Sequence, residues 1–185
     1  MKNYNKQDFP VSEIRRFLEP GPVVLVSSAY KGETNIMTMG WHTVMEFSPS
    51  LIGCMITSAN YSYDLIKNSG ECVINIPEVH MATTVVGIGN CSGSDVNKFE
   101  KFNLTAQDAT IIKAPLIAEC HTNLECKIHD AKMLDKYNFF IFEVVKAHAA
   151  ISPKYPKTIH YRGDGHFMVS GKAVSYLDKF LPKML

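Results

Sequence analysis

Apolar residues in the first half of the chain occur in short runs that turn residues separate. Val23–Ala29 is a continuous valine-rich run, and the turn at residues 31–33 leads back into Asn35–His42. We predict that these two segments form a β-hairpin. A second turn at residues 47–50 contains Ser48-Pro49 and precedes a predicted strand at Leu51–Thr57. This pattern is typical of antiparallel strands.

Two predicted helices and another strand follow. Ser62–Asn68 has an apolar edge and is closed by Gly70, which predicts a short helix. Glu71–Ile76 predicts a strand that ends at a proline. Val79–Gly87 predicts a helix, although its β-branched residues favour a strand.

The second half has a looser alternation of apolar and polar residues. Ala118–Lys132 and Phe139–Ile151 predict two long strands in an antiparallel ribbon. Gly163-Asp164-Gly165 predicts a tight turn, and Ser175–Leu181 a short C-terminal helix. Many short strands with few, brief helices indicate a mainly β fold, an antiparallel barrel. No linker divides the chain, so we predict a single domain over residues 1–185.

Composition narrows the classes of protein to consider. The formal net charge is +1, from 19 basic and 18 acidic residues, which gives no electrostatic signature of a nucleic-acid or anionic-membrane partner. No apolar run is long enough to span a bilayer, and Met1–Pro10 lacks the apolar core of a secretory signal. The five cysteines are an odd number, which favours reduced thiols and a cytoplasmic location.

The segment Thr34–His42 carries small and polar residues where a barrel core prefers bulky ones. Gly40 allows a planar group to approach the backbone closely, or it marks a bulge in an ordinary strand. Trp41 is a candidate to cover such a planar group, and the alternative is a buried barrel tryptophan.

Thr57–Ile66 predicts a strand, a hydroxyl-rich turn and the start of a helix. The first amides of a helix lack internal partners and lie at the positive end of its dipole, so they suit a phosphate. Ser62 is either the N-cap of this helix or a phosphate ligand.

The glycine- and serine-rich segment Gly87–Phe99 predicts a loop with free amides and hydroxyls ahead of Lys98. It lacks the Gly-Lys-Ser/Thr ending of a P-loop and the spacing of a dinucleotide-binding fingerprint. Cys91 in this loop is either a reactive thiol or an ordinary loop cysteine.

Four possible metal ligands lie close together in the sequence, namely Cys120, His121, Cys126 and His129. On a strand, Cys120 and Cys126 would share a face but lie about 20 Å apart. Zinc–ligand bonds of about 2.0–2.3 Å exclude a shared ion at that separation. We therefore predict no metal site.

Taken in order, these segments resemble the flavin reductase-like FMN-binding split barrels, particularly the flavoredoxin branch. The matching segments run over most of the chain, and they are Pro22–Val26, Asn35–Trp41, Ser48-Pro49, Tyr61–Ile66, Glu71–Pro77, Ser92–Phe99 and, more weakly, His160–Asp164.

The resemblance implies a homodimer of six-stranded Greek-key split barrels, with FMN in a cleft at the subunit interface. It implies an oxidoreductase that passes electrons from NAD(P)H or a ferredoxin-like donor through FMN to an acceptor. Two alternatives stay open: a non-catalytic module that binds or stores FMN, and a barrel dimer that holds no flavin.

The resemblance also implies which residues contact the cofactor. The isoalloxazine ring would lie along Asn35, Ile36, Met37, Thr38 and Met39, with Trp41 nearby. The ribityl chain and phosphate would lie against Thr57, Ser58, Asn60, Tyr61 and Ser62, with Ser92 and Lys98 nearby. His160 and Arg162 could close the pocket from the C-terminal side.

Two positions depart from the family pattern. Many relatives carry an arginine where this chain has Asn60, and an aspartate where it has Asn97. The phosphate charge would therefore rest on helix amides, hydroxyls and Lys98.

Overall fold

A single antiparallel sheet of eight strands dominates the computed structural model, which describes residues 4–184. In chain order its strands are β1 Lys6–Phe9, β2 Val24–Tyr30, β3 Glu33–Met39, β4 His42–Phe47, β5 Ser50–Met55, β6 Glu71–Ile76, β9 Thr122–Asp130 and β10 Phe139–Ala150. Seven of them follow one path in the order β3-β2-β6-β9-β10-β5-β4, and β1 pairs with β10.

Two small antiparallel ribbons and several short helices complete the described chain. The ribbons are β7 Ala106–Gln107 with β8 Leu116–Ile117, and β11 Ile159–Gly163 with β12 His166–Val169. The α-helices are α1 Arg15–Leu18, α2 Tyr61–Ser69, α3 Ala82–Gly89, α4 Lys98–Lys101 and α5 Leu134–Tyr137. Single 3₁₀ turns lie at Val11–Glu13, Val79–Met81, Leu177–Lys179 and Pro182–Met184.

The sheet curls around an apolar core and is split between β3 and β4, since each of these strands pairs on one side only. Strand β2 shows why the first apolar run is continuous rather than alternating. Val24 and Val26 point into the barrel, whereas Val23 and Leu25 pack in a second cluster with α3. A strand that is covered on both faces favours apolar residues at successive positions.

The predicted mainly β fold is confirmed, but the sheet has eight strands instead of six. The prediction missed β1 and β4. Strand β1 is polar, and β4 exposes Thr43, Met45 and Phe47, so neither strand has the apolar alternation of a buried element. The hairpin predicted from Val23–Ala29 and Asn35–His42 is confirmed, since β2 and β3 pair antiparallel, but its second strand ends at Met39 and His42 begins β4.

Most of the predicted helices and turns lie where the sequence placed them. Helix α2 ends at Gly70, which has φ of 76° in the left-handed region that glycine favours. The helix predicted at Ser175–Leu181 is reduced to the 3₁₀ turn at Leu177–Lys179. Every residue of that segment is exposed, so no packed apolar face stabilises a longer helix.

The cysteines follow the division of the core into two clusters. All five are free, and Cys126 lies inside the barrel while Cys120 lies in the α3 cluster. The expectation that Cys120 and Cys126 share one face of a strand is wrong, because Cys120 lies in a bend before β9 begins at Thr122. Among residues 4–184, no three His, Cys, Asp or Glu side chains are placed to hold a metal ion.

A search of the same residues finds no helix with the length and apolar character needed to cross a membrane.

Candidate functional site

A groove runs along the outer edge of β3, where the strand meets the N-terminus of α2 and the loop that follows α3. Its deeper end is a depression of about 350 Å³. The lining combines glycines, hydroxyls and amides with a single lysine, and it consists of Asn35, Met37, Ala59, Asn60, Tyr61, Ser62, Gly89, Asn90, Cys91, Ser92, Gly93 and Lys98.

The N-terminus of α2 opens into this depression. Asn60 is the N-cap, and its side chain makes no capping hydrogen bond. Of the two alternatives for Ser62, the N-cap is wrong, because Ser62 is the second residue within the helix. The amides of Tyr61 and Ser62 lie in the first turn, where a helix offers no internal acceptor. Such amides suit an anionic group of a ligand.

A buried hydrogen bond joins this helix to β3. Asn35 donates from Nδ2 to Ser62 Oγ over 2.9 Å, and Ser28 Oγ lies 3.4 Å from the same hydroxyl. The Asn35 side chain is 3% exposed, and its Oδ1 has no hydrogen-bond partner among residues 4–184. A buried amide oxygen without a partner costs free energy unless a ligand or water satisfies it.

Gly93 packs directly against this amide. A Cβ added at Gly93 would lie 2.2 Å from Asn35 Oδ1 and 2.8 Å from the Tyr61 ring. Both distances are below van der Waals contact, so the loop can approach β3 and α2 this closely only with a glycine at position 93.

Lys98 supplies the positive charge of the depression. It begins α4, which Asn97 caps by accepting hydrogen bonds from the amides of Phe99 and Glu100. Lys98 is buried, and its Nζ donates to Ile88 O over 3.0 Å, which leaves two further N–H groups. Burial lowers the pKa of the Lys98 amine. No acidic side chain is present among the described residues that line this depression, so its electrostatic field favours an anion.

The shallower end of the groove lies beside the split in the barrel. It is a depression of about 250 Å³ that shares Met37 and Asn60 with the deeper end and adds Thr38, Met39, Gly40, Trp41, Met55 and Thr57. Met37 and Met39 are buried in the barrel core, so β3 presents mainly backbone to the groove here. Trp41 is 69% exposed, which contradicts its interpretation as a buried barrel tryptophan.

The structure brings most of the predicted residues to one groove. Asn35, Met37, Asn60, Tyr61, Ser62, Ser92 and Lys98 line the deeper end, and Thr38, Met39, Trp41 and Thr57 line the shallower end.

Two predicted contact residues and two weaker candidates lie elsewhere. Ile36 is fully buried under α3, and Ser58 is exposed outside both depressions. His160 bonds through its two ring nitrogens to Gly21 O and Thr158 Oγ1, at 3.0 Å and 2.9 Å, and exposed Arg162 contacts the Met168 sulfur. Neither residue lines the groove.

Gly89, Asn90 and Gly93 also line the groove, although no local motif predicted them as individual site residues. The glycine-rich composition of residues 87–99 was the available signal. Composition identifies a loop, but only the fold shows that Gly93 contacts Asn35, since 58 positions separate the two in the sequence.

Known proteins share both the sequence pattern and the fold. A family model described as a flavin reductase-like domain matches residues 15–167. An uncharacterized protein of Archaeoglobus fulgidus is 33% identical over 135 residues, which cover 73% of this chain and 76% of that protein.

Two solved structures have the same fold. An FMN-binding domain of a flavin reductases-like enzyme from Shewanella baltica has a TM-score of 0.86 at 24% identity, covering 95% of this chain and 99% of that one. The flavoredoxin of Desulfovibrio vulgaris has a TM-score of 0.76 at 21% identity, covering 85% and 90% of the two chains.

Substitution of Gly93 tests the close contact between the loop and β3. We expect Gly93→Ala to lower the free energy of unfolding by about 1–3 kcal/mol, because the new methyl group overlaps Asn35 and Tyr61. Denaturant unfolding measures the change. The control is Gly171→Ala, since a Cβ there meets no atom within 4 Å and we expect a change within about 0.5 kcal/mol. Equal stability of the two variants would contradict the contact.

Proposed function

Because this chain belongs to the flavin reductase-like family, we propose that it is an FMN-dependent oxidoreductase, similar to flavoredoxins or flavin reductases. In this proposal it takes electrons from NAD(P)H or a ferredoxin-like protein and passes them through FMN to an acceptor. The observation that carries the proposal is the groove along β3, one end of which is lined by the N-terminus of α2 and Lys98 and the other by β3 and Trp41.

The deeper end fits the phosphate of FMN. The first-turn amides of α2 and the Lys98 amine supply donors and positive charge, and Ser92 supplies a hydroxyl. Asn60 stands where many relatives carry an arginine, so Lys98 is the cationic side chain of this lining.

The shallower end fits the isoalloxazine ring. The backbone of β3 at Thr38–Gly40 can face the edge of a planar ring, and the exposed Trp41 indole can lie beside it. Asn35, which lines the deeper end, has an unpaired Oδ1 that can accept a hydrogen bond from a ligand or a water. When bound, FMN supplies the redox chemistry. The residues of this chain position it and fix the charge around it.

We also propose that the protein acts as a homodimer with FMN at the subunit interface. Trp41 lines the shallow end of the groove and is 69% exposed, and Met45 and Phe47 on the adjoining β4 are 45% and 48% exposed. A second subunit that covers these side chains would bury apolar surface and enclose the ring.

The charge of Lys98 can be tested by comparing FMN with riboflavin, which lacks the phosphate. We expect Lys98→Gln to weaken FMN binding by about 1.5–3 kcal/mol through loss of a charge-assisted hydrogen bond, and to leave riboflavin binding unchanged. Titrations that follow flavin fluorescence give both dissociation constants.

Lys101→Gln is the matched control for this experiment. Lys101 lies in the same helix and loses the same charge, but it is exposed and outside the groove. Equal losses of FMN affinity in the two variants would show only a general charge effect. An equal loss for riboflavin and FMN in Lys98→Gln would contradict a phosphate contact.

Reduction of the bound flavin distinguishes the oxidoreductase from a storage module. Under anaerobic conditions, we expect NADH, NADPH or reduced ferredoxin to bleach the absorbance of the FMN-loaded protein near about 450 nm faster than that of free FMN. Stopped-flow absorbance measures the rates. A protein that binds FMN but is reduced by none of these donors would be an FMN-binding module without catalytic function.

The dimer proposal predicts an oligomeric state that depends on β4. We expect sedimentation equilibrium to give a dimer for the natural chain and a monomer for Met45→Lys, because the new charge would be buried at the interface. The control is Met168→Lys in β12, where the methionine is 42% exposed and belongs to a ribbon separate from the sheet that contains β4. A monomeric natural protein would refute the proposal.

A further inference from the structure

A second pocket adjoins the shallow end of the groove on the other side of Thr38. It has a volume of about 640 Å³, within the range of about 300–1,000 Å³ that is typical of small-molecule sites. Four parts of the chain form it: the segment that enters β2, the end of β3 with the two residues that follow it, helix α3 with Asn90, and the β11–β12 hairpin. It shares Thr38, Gly40 and Trp41 with the shallow end of the groove, so a molecule in the pocket would lie beside a ring bound there.

The chemistry of this pocket differs from that of the groove. None of the described residues that line it carries a formal charge. Three aromatic side chains surround it: Trp41, Tyr161 and Phe167, the last two with ring centroids 5.1 Å apart. Val23, Val85 and Val86 add aliphatic surface, while the Thr38 hydroxyl, the Asn90 amide and the Tyr161 hydroxyl are the polar side-chain groups. Flat rings and neutral polar groups suit a flat, neutral ligand.

Hydrogen bonds hold the walls of the pocket in place. The amide of Val23 donates to Ile159 O over 2.8 Å, which attaches the hairpin to the start of β2. Thr38 donates from its hydroxyl to Val85 O over 2.7 Å, which attaches β3 to α3. A pocket with fixed walls binds a rigid ligand with little loss of conformational entropy.

We propose that this pocket binds a planar, uncharged organic molecule of the quinone or aromatic carbonyl class, as the second substrate of the site. The proposal rests on the proposed function for its position beside FMN. A nicotinamide dinucleotide carries a charged pyrophosphate, and this pocket offers that group no cation. Burial of an unpaired anion in such surroundings is unfavourable, so the pocket selects against charged ligands.

Two probes of similar shape test the selection against charge. They are 2-(hydroxymethyl)anthraquinone, which is neutral, and anthraquinone-2-sulfonate, which is an anion. Isothermal titration calorimetry of the FMN-loaded protein gives both affinities without any turnover. We expect the neutral probe to bind at least about tenfold more tightly than the sulfonate.

Substitutions at Val86 test whether the probe binds in this pocket. Val86 lies on α3, lines the pocket and is 41% exposed, so the protein can accept a polar residue there. We expect Val86→Lys to reverse the preference, since the new ammonium group would pair with the sulfonate. Val86→Thr is the uncharged control of nearly equal size, and we expect it to keep the preference of the natural protein.

Several outcomes would overturn the proposal: no binding of the neutral probe, equal affinities for both probes, or a preference that Val86→Lys leaves unchanged. The FMN titration of each protein tests the proposed function separately. A chain that binds FMN but not the neutral probe refutes the pocket assignment alone, whereas a chain that does not bind FMN refutes the proposed function.

Discussion

The hydrogen bond from Asn35 to Ser62 is the contact on which the geometry of the site depends. It joins a strand of the barrel to the first turn of α2 and is fully screened from water. The amide that makes this bond also leaves its oxygen unpaired beside Gly93. The same residue therefore fixes the position of the helix amides relative to β3 and keeps an acceptor available. Rigid placement of donors before a ligand arrives is what makes such donors effective.

The groove and the neighbouring pocket differ in the charge of their linings. Lys98 and the helix amides place positive charge at the deep end, whereas the pocket between α3 and the hairpin carries no formal charge in its described lining. Thr38 and Gly40 lie where the shallow end of the groove meets this pocket. A molecule with one anionic end and one flat neutral end therefore has a single favourable orientation along the groove.

Much of the fold followed from the sequence because the buried strands carry strong signals. β2 and β6 are buried along most of their length and rich in valine and isoleucine, and Gly70 marks the end of α2 with the backbone conformation that glycine favours. β4 was missed because its outward side chains are apolar but exposed, so its pattern does not separate core from surface. The ordered set of motifs predicted the groove. The contact of Gly93 with Asn35 and the place of Phe167 in the neighbouring pocket depend on the tertiary fold, which no local pattern encodes.

The position of Trp41 gives the protein an intrinsic optical reporter. It is the only tryptophan in the sequence, so the indole emission of the protein comes from one location. That location is the boundary between the groove and the neutral pocket, and the side chain is largely in water in the single chain. The emission wavelength of an indole depends on the polarity of its surroundings, and this polarity falls when the ring moves from water to an apolar contact. Its emission wavelength therefore records whether this boundary is open or covered, without any label attached to the protein.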